Sequence, residues 1–145
     1  MTHDDKGHYA AKHPPNTKVA PPVEKAVKEA LEKQNITCHA AHKIAEALNI
    51  SPKQIGIAID LQESRIRKCQ LGLFGYETPK KKMVKSAEIA APQVKAAIEL
   101  ALVNDRLACI KAWEIAASQG ISRLAVANVC ESLQIRINQC QLGAF

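Results

Sequence analysis

The strongest constraint on this fold is that the sequence occurs twice. A shift of 71 residues lays residues 21–74 on residues 92–145 without a gap. Pro21 meets Pro92, Val23 meets Val94, and Ala30-Leu31 meets Ala101-Leu102. Cys38 falls on Cys109, Ile44-Ala45 on Ile115-Ala116, and Ile50-Ser51 on Ile121-Ser122. The endings agree best, with Cys69-Gln70-Leu71-Gly72 on Cys140-Gln141-Leu142-Gly143 and Phe74 on Phe145. A repeat of this kind makes each copy one structural unit. A copy of 54 residues is short for a generous core, so the copies are expected to share burial.

Within one copy the apolar spacing is helical. Val23, Ala26, Val27, Ala30 and Leu31 form a stripe at i, i+3, i+4, i+7 and i+8, which predicts a helix from Pro22 to about Lys33. A second helix follows Thr37, a capping residue type, and runs through Leu48. The chain should then turn at Asn49 or, in the second copy, Gly120, the two residue types most tolerant of a left-handed backbone. A third helix is announced by Ser51 and Ser122 and should end near Leu61 and Ser132. Aromatic residues make up only 3% of the chain, so alanine, isoleucine and leucine must fill the core, which favours close-packed helices. The segments RIRKCQLG and RINQCQLG alternate, with Ile66 inward and Arg65 and Arg67 outward, and read as one short strand per copy. One strand per copy leads to the expectation that the two strands pair across a pseudo-two-fold axis.

The expected fold class is therefore mainly α: two tandem trihelical units, each followed by a strand-like segment. The expected organisation is a disordered polar tail over 1–20, repeat one over 21–74, a basic linker over 75–91 and repeat two over 92–145. The linker carries Lys80, Lys81, Lys82 and Lys85.

The segments AHKIAEALNISPKQIGIAID and AWEIAASQGISRLAVANVCE resemble the helix-turn-helix pattern. A small residue stands inside the first helix (Ala45, Ala116), Asn49 or Gly120 follows four residues on, and Ile50 or Ile121 comes next. Ile55 and Ala58, with Val126 and Val129, take the core positions of the second helix. In DNA-binding proteins of this pattern, the second helix lies in the major groove. The resemblance implies that Ser51, Lys53 and Gln54, with Ser122, Arg123 and Asn128, face DNA. Lysine and arginine suit guanine, glutamine and asparagine suit adenine. Arg65, Arg67, Lys68 and Arg136 would hold phosphates, which position a protein without specifying sequence. Ile57 and Leu124 are apolar among these positions, so a helical adaptor for a protein partner is the alternative.

Four cysteines recur between copies, each pair 31 residues apart: Cys38 with Cys69 and Cys109 with Cys140. Four thiolates can make a tetrahedral zinc or iron–sulfur site, and a helix start lowers a thiol's pKa. No pair has the tight CxxC spacing, and Cys130 stands where the first copy has Ile59, so buried core thiols are the competing reading. A thiol- or metal-responsive sensor is therefore a further alternative, and no cofactor is required. His3, His8 and His13 lie in the tail. His39 and His42 lie near Cys38 but have no counterparts in the second copy.

The net charge of +6 permits a nucleic-acid partner without demanding one. No apolar stretch approaches a membrane span and the N-terminus lacks a signal-peptide shape, so a cytosolic protein is expected. No Gly-rich phosphate loop, HExxH or Ser/His/Asp arrangement occurs, and no enzymatic activity is expected. The expected function is a regulator that binds double-stranded DNA through two internal half-site readers.

Overall fold

The computed structural model describes residues 8–76, 83–87 and 91–145. They are mainly helical, with a few very short strands. The first repeat contains α1 (Pro21–Ala30), β1 (Asn35–Thr37), α2 (Cys38–Leu48), α3 (Pro52–Leu61) and β2 (Arg65–Arg67). The second contains α4 (Pro92–Ala101), β3 (Arg106–Ala108), α5 (Cys109–Gln119), α6 (Arg123–Ser132) and β4 (Arg136–Asn138).

Helix α1 ends about one turn before the apolar stripe suggests. Leu31 leaves the helix with φ −71° and ψ 136°. Lys33 and Gln34 then both adopt left-handed backbone, with φ of 50° and 63°. Glu32 and Asn35 exchange both of their backbone hydrogen bonds across this two-residue turn, at 2.8 and 2.9 Å. The second repeat builds the same turn with Asn104 and Asp105, between Val103 and Arg106. Such double left-handed turns favour Asn, Asp and Gly, so the second repeat has the fitting residues and the first does not.

The turn delivers an extended segment just before α2, and this determines the sheet. Strand β1 pairs with β2 in parallel, Ile36 opposite Ile66; β3 pairs with β4, Leu107 opposite Ile137. The expected pairing across a pseudo-two-fold is therefore incorrect: each strand finds its neighbour inside its own repeat. Parallel neighbours need a crossover, and α2–α3 and α5–α6 supply it. Ile36, Ile66 and Leu107 are buried at the centres of these pairs.

The helix starts follow the capping residues. Thr37 Oγ1 accepts the Ala40 N–H at 3.0 Å, Ser51 Oγ the Gln54 N–H at 3.4 Å, and Ser122 Oγ the Ala125 N–H at 3.0 Å. Asn49 and Gly120 take the left-handed position at φ 54° and 66°. Ile55, Ala58 and Ile59 are fully buried, and Val126, Val129 and Cys130 are buried in their place in the second repeat. Full burial contributes roughly 1.5–3 kcal/mol for each isoleucine.

The chain divides into two compact units whose limits differ from those of the repeats. One takes the chain up to Cys69 together with Gln141–Phe145; the other is Gln70–Cys140. Each unit is thus completed by the QLG tail of the other repeat. In the first unit Leu142 and Ala144 are buried, and the Leu142 backbone lies directly on Gly56 of α3. In the second unit Leu71 is buried, and Gly72 sits beside Leu124 and accepts the Met83 N–H on its carbonyl at 2.6 Å.

Polarity over residues 1–20 implies disorder, yet residues 8–13 form a strap on the first unit. Residues Tyr9–Lys12 make a 3-10 turn with the Tyr9 ring buried. The Tyr9 and Ala10 N–H groups donate to the Glu63 carboxylate, each at 2.9 Å. Asp60 holds Lys12 Nζ at 3.2 Å and His13 Nε2 at 2.8 Å. Local composition hides this order because its partners, Asp60 and Glu63, lie some fifty residues downstream. In the second unit, residues 83–87 lie on α6, with Val84 buried. Residues 1–7, with His3, and Lys80, Lys81 and Lys82 of the linker lie outside the described residues.

Candidate nucleic-acid interface

The two third helices present their first turns differently. On α3, Ser51, Lys53 and Gln54 are exposed. Ser51 sits at the cap, and Pro52 takes the first helical position, where the missing N–H is no loss. Lys53 and Gln54 therefore project beside a helix N-terminus.

On α6 the matching side chains are engaged inside their own unit. The Arg123 guanidinium lies 3.4 Å from the centroid of Trp113, a cation–π stack. Its Nη1 also donates to Gln70 Oε1 at 3.2 Å. Asn128 Oδ1 accepts the Lys85 N–H at 2.9 Å, and the Asn128 carbonyl accepts the Ala87 N–H at 3.2 Å. Arg123 and Asn128 are consequently half-buried, correcting the expectation that both stand open to a partner. Two changes between copies account for this. Trp113 replaces His42 and offers a ring to stack on, and Leu124 replaces Lys53 and packs beside Gly72. Ser122 remains exposed but acts as a cap.

The strand cations divide as well. Arg65 and Arg67 lie on one face of β2, flanking the buried Ile66, and both are half-buried. They line an open groove of about 600 Å³ together with Lys33, Asn35, Glu63 and Tyr9. Lys68, at φ 51°, and Arg136 are exposed. A second hollow of about 450 Å³, lined by Trp113, Arg123, Gln70 and Leu124, surrounds the cation–π stack.

Cys38, Cys69, Cys109 and Cys130 are buried and Cys140 is half-buried. Among the described residues, no three His, Cys, Asp or Glu side chains converge as a metal-binding group. Strand register does bring each pair into one neighbourhood. Cys38 directly follows Thr37, the partner of Arg67, and Cys69 lies two residues beyond Arg67. Cys109 and Cys140 repeat this offset. Burial pushes the Cys130 thiol up to about 11, as suits a core residue.

Tyr9, Lys33, Glu63, Gln70 and Trp113 shape these sites and escape the sequence reading. One signal was available: Trp113 is the only tryptophan in the chain and follows the repeat register of a histidine. Among the described residues no helix is long and apolar enough to cross a membrane. No protein-family model, curated protein or solved structure matches the chain.

Proposed function

We propose that this chain is a non-enzymatic, single-headed binder of double-stranded DNA, reading through α3 on a helix-turn-helix. The reading rests on one observation: Lys53 and Gln54 are exposed at the first turn of α3, whereas Arg123 and Asn128 of α6 are engaged internally. In this mode the N-terminal turn of α3 enters the major groove. Lys53 reaches guanine O6 or N7, and Gln54 makes a bidentate pair with adenine. Lys68 contributes a phosphate contact outside the groove. The second unit acts as scaffold, and the target is one half-site rather than a palindrome.

Fluorescence anisotropy with duplexes selected from a random pool tests this reading. Few phosphate contacts predict a shallow dependence of affinity on salt. Lys53→Ala and Gln54→Ala should each weaken binding to the selected site about tenfold, the scale of one base contact. Absence of binding at low salt, or indifference to both substitutions, refutes it.

A specific feature favours a second reading for the second unit. Leu100, Val103 and Ile110 are exposed, at 89%, 70% and 48%, where the first repeat has Glu29, Glu32 and His39. Apolar replacements at exposed positions fit contact with a protein partner. Changing all three to the first repeat's residues should leave folding intact and abolish any such association, read by sedimentation with the captured partner.

A further inference from the structure

We propose that the hollow around the Arg123–Trp113 stack is a binding site for a small monocarboxylate that carries an apolar body. It gives the second unit a ligand of its own, separate from the DNA reading through α3. Consecutive elements of that unit build it. Trp113 and Ala117 stand one turn apart on α5 and so share a face. Ile121 and Ser122 form the turn that follows, and Arg123 and Leu124 open α6. Gln70 completes the wall. At about 450 Å³ the hollow lies in the range of small-molecule sites.

Among the described lining residues, Arg123 alone is charged. It is half-buried, and the two groups that hold it are neutral: the Trp113 ring at 3.4 Å and the Gln70 side-chain oxygen at 3.2 Å. No carboxylate among the described residues pairs with it. A partly desolvated cation ordinarily has a counter-ion, because withdrawing charge from water costs free energy that an opposite charge offsets. The stack and the Gln70 bond also fix the guanidinium plane while leaving most of its N–H donors unused. A fixed planar fork matches a carboxylate, which accepts two parallel N–H bonds. One cation balances one negative charge, which selects a monocarboxylate over a polyanion. Trp113, Ile121 and Leu124 surround the fork with hydrocarbon, so the rest of the ligand must be apolar. Ser122 Oγ accepts the Ala125 N–H, which leaves its hydroxyl proton to donate.

The two copies differ here in a concerted way. The first repeat keeps Ala45, Ile50, Ser51 and Gln141 at the equivalent positions. It has His42 for Trp113, Glu46 for Ala117, Pro52 for Arg123 and Lys53 for Leu124. Its set therefore holds one acid and one lysine, and Glu46 also pairs with Lys43 at 3.7 Å. In the second repeat both are gone, a guanidinium has entered, and two large apolar side chains stand beside it. These changes remove the charge that would repel a carboxylate, supply the fork that binds it and wall the space for its apolar part. Were the stack there for stability alone, an acid at position 117 would be a favourable neighbour for Arg123. Alanine there leaves the guanidinium to an external carboxylate.

Trp113 is the only tryptophan of the chain, so its fluorescence reports the site directly. The full chain is titrated with phenylacetate and with hexanoate at low salt. Acetate and 2-phenylethanol supply the carboxylate and the apolar body singly. A saturable one-to-one change in Trp113 emission at millimolar concentration is expected for the two acids, with binding of acetate and of 2-phenylethanol weaker by about tenfold or more. Arg123→Gln should weaken acid binding about tenfold or more, the scale of a charge-assisted pair. Ala117→Glu changes an exposed helix position and restores the first repeat's acid; it should weaken binding similarly. Lys111→Gln, on the exposed face of α5, should not. Isothermal titration gives the same constants where a substitution alters the starting emission. No saturable binding of either acid overturns the proposal. So does acetate or 2-phenylethanol binding as tightly as the acids, or an affinity indifferent to Arg123→Gln and Ala117→Glu in variants with unchanged far-UV circular dichroism.

Discussion

Replacing Gly56 by alanine adds one methyl group where the backbone of Leu142 already lies. A Cβ at that position would stand 2.6 Å from the Leu142 carbonyl carbon and 3.1 Å from its Cα, and closer still to the carbonyl oxygen. Ordinary contact begins at 3.4 Å, so the tail must withdraw by the better part of an ångström or more. Two effects oppose one another. Alanine within a helix is favoured over glycine by about 1 kcal/mol. Overpacking a core typically costs about 1–3 kcal/mol. The penalty has a ceiling, because the tail can let go. Letting go exposes Leu142 and Ala144, and leucine burial alone contributes roughly 1.5–3 kcal/mol. With the tail released, the net expectation is a destabilisation of about 0.5–2 kcal/mol, measured by urea unfolding. In a chain ending at Cys140 the clash is absent, and the same substitution should stabilise by about 1 kcal/mol from helix propensity. A neutral or stabilising Gly56→Ala in the full-length chain would refute the close docking of the tail on α3.

Four further outcomes follow from described contacts. Asn49→Ala should destabilise by about 1 kcal/mol at its left-handed position, while Asn49→Gly should be neutral or better, both read from thermal unfolding. Asp60→Asn removes the charge that holds Lys12 and His13; it should lower stability by about 1–3 kcal/mol and make residues 8–20 the first site of limited proteolysis. Cys130 should resist alkylation in the native protein, with half-buried Cys140 modified first, as mass spectrometry would report. Because burial raises the Cys130 thiol to about 11, the folded state keeps it neutral after the unfolded chain has ionised. Stability should therefore be fully present below pH 9 and fall as pH climbs toward 11, by at most about 2–3 kcal/mol, and Cys130→Ala should remove that loss.

What could be read from the sequence was whatever depends on neighbours along the chain. Helices α2, α3 and α6 start and end where Thr37, Ser51, Ser122, Asn49 and Leu61 indicate, because caps and left-handed turns act within a few residues. The strand-like reading of Arg65–Arg67 agrees with β2. What escaped depends on partners far away. Strands β1 and β3 are made strands by the parallel neighbour in the same repeat, some thirty residues downstream. The strap is ordered by Asp60 and Glu63, which composition over residues 1–20 cannot register. The tail exchange is hidden by the repeat itself: CQLG is the same in both copies, so nothing marks which unit each tail completes. At the candidate interface, residue type identified Lys53 and Gln54 as exposed polar groups. It could not reveal that Trp113 and the Asn128 contacts occupy the equivalent face of α6.

The completion of the first unit by residues 141–145 has a consequence for how the protein is made. On the ribosome, Gly56 emerges long before Leu142. Domains generally fold as units while the chain lengthens, N-terminal ones first. Here that order is reversed in part: the unit Gln70–Cys140 has all its residues before the unit begun at the N-terminus does. Until residues 141–145 emerge, the first unit waits with the Leu142 site on α3 unfilled, its apolar surface open to chaperones or to the same segment of a neighbouring nascent chain.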